Sequence, residues 1–325
     1  MLSISSVINI KWGACMKVKY LIIAAITTFL IIKLPLKPYV IVHQYDNYLD
    51  IALEHIDLTG VDIPFIVETV DTAGGYEVQL NWKEVLTLIA INRENNLYNL
   101  DETIIKTAAS RFIDGERVKS LDEVLVDSLY TNEERERAKT YMEDLKYEGY
   151  TPHKLQPSAK ETLFINQLVN PAKINYRKTG ILPSITIAQA ILESNWGQSE
   201  LSRNEYNLFG IKADDSWDGD YATYTTTEYD NEVIDADFRE YDNWLASIED
   251  HANFLLNNEC YHEAGVFDAK NYRIQAKAIE VGGYSTAVDI AGNPEYAKRL
   301  CELIRQYNLQ LLDHEVRNEV HHNTK

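Results

Sequence analysis

Glu193 is the residue in this sequence whose setting most calls for a chemical reason. It is the lone carboxylate in the run Ala190-Ile191-Leu192-Glu193-Ser194-Asn195-Trp196-Gly197. Leu182-Pro183-Ser184 reads as a helix start with Ser184 as N-cap, and Gly197 reads as the stop. Between them Ile185, Ile187, Ala188, Ala190, Ile191 and Leu192 cover most of the circumference, which predicts a buried helix. Glu193 falls in its last turn, where lost hydration and the negative end of the helix dipole both disfavour the charged form. A carboxylic acid that keeps its proton near neutral pH can protonate a leaving oxygen, which is general acid catalysis. The helix alone leaves another reading open: a buried ion pair, or a glutamate that simply reaches solvent at the helix end.

A second group of polar residues lies downstream. Tyr221 to Tyr229 is rich in β-formers, Asp230-Asn231 suits a two-residue turn, and Val233 to Phe238 alternates, so a β-hairpin is predicted. That turn sets Glu228 opposite Val233, Thr226 opposite Asp235 and Tyr224 opposite Asp237. Glu228 would then share one face with Tyr224, Asp235 and Asp237. By itself such a face reads as a wet, solvent-facing strand surface.

The stretch AQAILESNWGQSELSRNEYNLFGIKA, from Ala188 to Ala213, resembles the glucosaminidase family of bacterial cell-wall hydrolases, glycoside hydrolase family 73. The resemblance continues through Thr226-Thr227-Glu228-Tyr229, Phe238-Arg239-Glu240-Tyr241 and Gly283-Tyr284-Ser285-Thr286 and ends near Leu300. It implies a lysozyme-like helical catalytic domain with a small β-hairpin lobe, and an endo-β-N-acetylglucosaminidase acting on peptidoglycan glycan strands without a cofactor. It also implies that Glu193 is the catalytic acid, Glu228 the second carboxylate and Tyr284 a residue near the cleaved bond. A lytic transglycosylase using Glu193 alone, or a non-catalytic wall-binding subunit, are the alternatives. Among the aromatic residues, Trp196, Tyr206, Phe209, Trp217, Tyr221 and Tyr224 could offer faces to sugar rings, although Trp196 and Phe209 abut buried runs and suit a core. Asn207 could bond an acetamido group, and Asp235 and Asp237 line the same proposed groove. The chain departs from the family where Ala287 to Asn293 intervene before Pro294-Glu295-Tyr296.

These residues must be positioned by a chain of 325 residues, long enough for two modest domains. Residues 1 to 45 hold five lysines and no acids, leaving 26 bases against 50 acids elsewhere, a body of net charge −24 that argues against nucleic-acid binding. Tyr20 to Ile32 is an uncharged apolar run preceded by Lys17 and Lys19, and no small-residue cleavage site follows it. Residues 1–38 are therefore expected to be a single-pass membrane anchor with everything after Pro38 outside the cell; a cleaved signal and a secreted protein is the alternative, and Met16 is a second possible start. Residues 39–155 read as a helical accessory domain, with Ser120 and Glu123 forming a capping box. Gly149 to Pro157 reads as a linker, and residues 156–312 as the catalytic domain opening on a Ser158/Glu161 capping box. Residues 313–325 read as a flexible tail whose histidines lack metal-binding spacing. Cys260 and Cys301 could pair or stay free. The fold class expected is mainly α.

Overall fold

A computed structural model describes residues 53–150, 155–227 and 233–323, all within one unit spanning Lys37–Lys325. Residues 1–38, the expected anchor, lie outside the described residues, and among those described no helix is long and apolar enough to cross a membrane. The expected single-pass anchor thus finds no support in any described helix.

Two apolar cores organise the mainly helical fold. The first is built by α1 (Ile63–Ala73), α2 (Trp82–Asn92), α3 (Glu102–Ser110), a two-residue hairpin of β1 (Ile113–Asp114) and β2 (Arg117–Val118), α4 (Leu121–Asp127) and α5 (Asn132–Asp144). Local sequence explains where these helices begin. Asp62, Asn81 and Asp101 cap α1, α2 and α3 with side-chain oxygens, while Ser120/Glu123 and Thr131/Glu134 form complete capping boxes for α4 and α5. Trp82, Val85, Leu86, Leu88 and Ile89 then bury most of α2, giving this core its centre.

The second core is formed by α6 (Lys160–Thr179), α7 (Pro183–Ser194), α8 (Glu200–Asn204), the hairpin β3 (Tyr221–Thr227) and β4 (Val233–Arg239), α9 (Trp244–Asn257), α10 (Glu259–Glu263), a 3-10 turn at Val266–Asp268, α11 (Tyr272–Val281), α12 (Tyr296–Gln306) and α13 (Gln310–Asn323). Ala159 rather than Ser158 precedes α6, with no side-chain cap. Ser184 is not a cap either: Pro183 occupies the first turn, where its missing N–H costs nothing, and the N-cap is Leu182. The Ser184 hydroxyl instead donates to Asp313 Oδ2 at 2.6 Å, and its backbone N–H donates to Oδ1 at 2.9 Å. That pairing corrects the reading of residues after Asp313 as a flexible tail, because α13 buries Asp313, His314 and Val316 against the rest of the chain. Cys260 and Cys301 are both free.

The hairpin forms, but its register differs from the one expected. Thr227 pairs with Val233, Thr225 with Asp235, Tyr224 with Ala236 and Thr223 with Asp237. A slip of one residue moves side chains to opposite faces. Asp235 and Asp237 stay on an exposed face, where they accept from the hydroxyls of Thr225 and Thr223 at 2.7 and 2.6 Å. Tyr224 lies on the other face with Ala236 and Phe238, its ring edge-on to Phe238. Residues 228–232, which include Glu228 and the expected turn, lie outside the described residues.

Candidate active site

The buried helix α7 carries Glu193 to an open edge. Residues 183–191 are all buried, whereas Glu193 keeps exposed surface as a residue while its carboxyl is crowded by the surrounding protein. The helix then stops within three residues, Asn195, Trp196 and Gly197, which all adopt positive φ of 50°, 63° and 69°. The Ser194 hydroxyl accepts from the Gly197 N–H at 2.6 Å and braces this turn. A Cβ at Gly197 would stand 2.7 Å from Phe164 Cε2 and 2.9 Å from Trp244 Cζ2, so both the conformation and the space call for glycine. The turn sends the Trp196 ring inward against Phe164 and Tyr307, with centroids at 6.0 and 4.8 Å. Trp196 therefore belongs to the core packing beside the site.

Around Glu193 the structure assembles a file of aromatic groups. The Tyr296 hydroxyl donates to Glu193 Oε1 at 2.7 Å, and the Gln189 amide Nε2 donates to the Tyr296 oxygen at 3.2 Å. Tyr284 stacks on Tyr296 with centroids 5.4 Å apart, His251 meets Tyr284 edge-on at 5.8 Å, and Phe209 stacks on His251 at 3.9 Å. Crowding by protein strips water from the Glu193 carboxyl and raises its pKa above the ordinary carboxylate range; the Tyr296 bond and the charge of Arg299 oppose that rise without cancelling it. Burial pushes His251 down to about 3, so the imidazole is neutral, and it pushes the Tyr284 and Tyr296 phenols well above their usual range.

The other candidates fall into three groups. Tyr206, at φ 52°, stays exposed, and the Tyr224 hydroxyl donates to Glu205 Oε1 at 2.8 Å. Phe209 is buried against His251 and acts in packing. Asn207 is 1% exposed, its Nδ2 donates to the carbonyls of Ile211 and Arg239 at 2.9 Å each, and its Oδ1 accepts from Ile211 N–H at 3.1 Å. That leaves the amide nothing to offer an acetamido group, which corrects the sequence reading: Asn207 pegs residues 207–211 to the end of β4. The same anchoring continues through Arg239, whose guanidinium pairs with both oxygens of Asp250 and lies over Trp217 at 4.6 Å, so Trp217 also serves the scaffold. No cluster of potential metal ligands occurs among the described residues.

Sequence reasoning missed the role of Tyr296, although Pro294-Glu295-Tyr296 was visible as a family motif displaced by the preceding insertion. It also missed Gln189. Its position four residues before Glu193 was the available signal, since that spacing puts both side chains on one helix face.

The arrangement on this mainly helical scaffold is a carboxyl at the open end of a buried helix, its pKa raised and one oxygen held by a tyrosine hydroxyl. Comparison with known proteins shows what the chain is similar to. Residues 169–309 match the glucosaminidase family, described as mannosyl-glycoprotein endo-beta-N-acetylglucosaminidase. Exo-glucosaminidase LytG of Bacillus subtilis is 36% identical over 160 residues, 47% of this chain and 54% of that protein. Peptidoglycan hydrolase FlgJ of Escherichia coli K12 is 36% identical over 150 residues, 44% of this chain and 45% of its own length. The catalytic domain of the autolysin Auto from Listeria monocytogenes is 32% identical, with 56% of this chain and 98% of that domain covered and a TM-score of 0.42. Residues 169–309 thus carry a domain of the glucosaminidase type. It spans about half the length of the curated relatives it matches.

Proposed function

We propose that this protein is a peptidoglycan hydrolase, an endo-β-N-acetylglucosaminidase that cuts the β-1,4 bond on the reducing side of N-acetylglucosamine. The observation that carries the reading is the Glu193 carboxyl, pushed toward its protonated form by its packed surroundings and held at Oε1 by Tyr296. Glu193 donates its proton to the glycosidic oxygen as the bond to the anomeric carbon breaks. Water then adds to that carbon, losing a proton to Glu228; in the alternative route the substrate's own acetamido group attacks first. Tyr284, stacked on Tyr296, orients the acetamido group or the water. The names of LytG and FlgJ support the sugar and the polymer, and the helical lobe with its hairpin suits a lysozyme-like cleft.

The bond cut is read directly from the products. Mass spectrometry of purified peptidoglycan digested by the protein should find N-acetylglucosamine at the new reducing end. N-acetylmuramic acid there would contradict the assignment, and an anhydro-muramic end would replace it with a transglycosylase.

A further inference from the structure

Gln189 sits one turn before Glu193 on α7, fully buried, and Tyr296 is only 3% exposed, so the far side of the catalytic carboxyl is sealed from water. The Tyr296 hydroxyl has one proton and two polar neighbours, Gln189 Nε2 at 3.2 Å and Glu193 Oε1 at 2.7 Å. With amide hydrogens aimed at the phenol oxygen, the phenol proton is left to the carboxyl. Oε1 is then held as an acceptor, and the proton of the neutral acid must reside on Oε2. We infer that Gln189 is a positioning residue for the acid: by fixing the direction of the Tyr296 O–H bond, it keeps the transferable proton of Glu193 on the oxygen that Tyr296 leaves free. The inference rests on the proposed role of Glu193 as general acid.

The Gln189 amide also keeps this orientation at a cost. Its Oε1 is buried without a hydrogen-bond partner, an arrangement that proteins ordinarily avoid. Reversing the amide would relieve that oxygen by letting it accept the Tyr296 proton, and Glu193 would lose its donor. Nor can Tyr296 readily swing away, because Tyr284 stacks on its ring.

The test is a carbon-13 NMR titration of the Glu193 carboxyl in glutamate-labelled full-length protein, with the resonance assigned from Glu193→Gln. Tyr296→Phe removes a donor to the ionised carboxylate and should raise the Glu193 pKa by about one unit. Gln189→Met should raise it in the same direction by less, and the double variant should go no further than Tyr296→Phe alone. In each variant kcat should fall while KM stays near wild type. A Gln189→Met protein with unchanged titration and kcat, or a double variant in which the two effects simply add, would overturn the proposal. If Gln189→Met does not fold, Gln189→Asn, a methylene too short to reach Tyr296, should give the same result. The NMR readout needs no turnover, so it is independent of whether the hydrolase reading holds; wall hydrolysis by Glu193→Gln would sink that reading instead.

Discussion

At the scale of single residues, the chemistry expected of Glu193 follows from where α7 leaves it. The preceding turns are buried and protein crowds the carboxyl, which disfavours its charged form. Asp235 and Asp237 are different: both are exposed, and each already accepts from a threonine hydroxyl. If Glu228 is the second carboxylate, Glu228→Gln should lower turnover on cell walls by about 100-fold or more, the range for loss of a general base. Asp235→Asn and Asp237→Asn should stay close to wild type. Rates of wall clearing for the three purified variants decide it, and a greater loss in the Asp235 variant would move the role to the other strand. The place of Glu193 in the last turn of a buried helix was legible in the sequence because a charge inside an apolar run is conspicuous. Asn207 misled because an amide among aromatic residues looks the same whether it faces sugar or, as here, pegs two backbone carbonyls.

Among the elements, those specified by local signals were the most legible. The capping box at Ser120 sits at the start of α4 as read, and α7 is buried as its apolar circumference requires. Elements that depend on distant partners were not. The Ser184 reading failed because the bond that occupies its hydroxyl comes from Asp313, 129 residues away. The same contact hid α13, whose inward face carries Gln310, Asp313 and His314 rather than a readable apolar stripe. The hairpin was visible from its composition, but its register was not. A two-residue turn at Asp230-Asn231 is one solution, whereas the ladder observed ends at Thr227 and Val233 with Thr–Asp pairs across its exposed face.

For the whole molecule, the two cores meet through polar contacts that no segment of sequence displays alone. Buried Asp71 on α1 accepts from Tyr272 on α11, from Arg305 Nε on α12 at 3.3 Å and from Gln79 Nε2 at 2.9 Å. Trp82 Nε1 donates to Asn308 Oδ1 at 3.1 Å, and His314 on α13 meets the Gln79 carbonyl at 3.2 Å. The accessory helices are thus built into the same unit as the site. Two buried acids near α13 give this packing a pH signature. Burial raises Glu84, beside His314 and Asp122, to about 8, and Asp313, beside Ser184 and Arg317, to about 7. An unfolded chain loses those protons near pH 4, so the folded state binds more protons above that point and stability falls as pH rises. His251 and His314, held neutral by burial, act in the opposite direction only below about pH 6.5. Lys83, lowered to about 8 while the unfolded chain keeps its proton to about pH 10, begins to oppose that fall only at the top of this range. The melting temperature should therefore drop between pH 6.5 and 8, and Glu84→Gln should flatten that slope. Calorimetry over this window checks it, and an equally steep slope in the variant would contradict the account.

The central claim is that Glu193 supplies the proton that breaks a glycosidic bond. Glu193→Gln is nearly isosteric and cannot donate that proton, so its thermal unfolding should match wild type while hydrolysis of purified peptidoglycan falls by about 100- to 10,000-fold. The measurement is the rate of release of new reducing ends by the two proteins at equal concentration. A folded variant that released them at the wild-type rate would contradict the account.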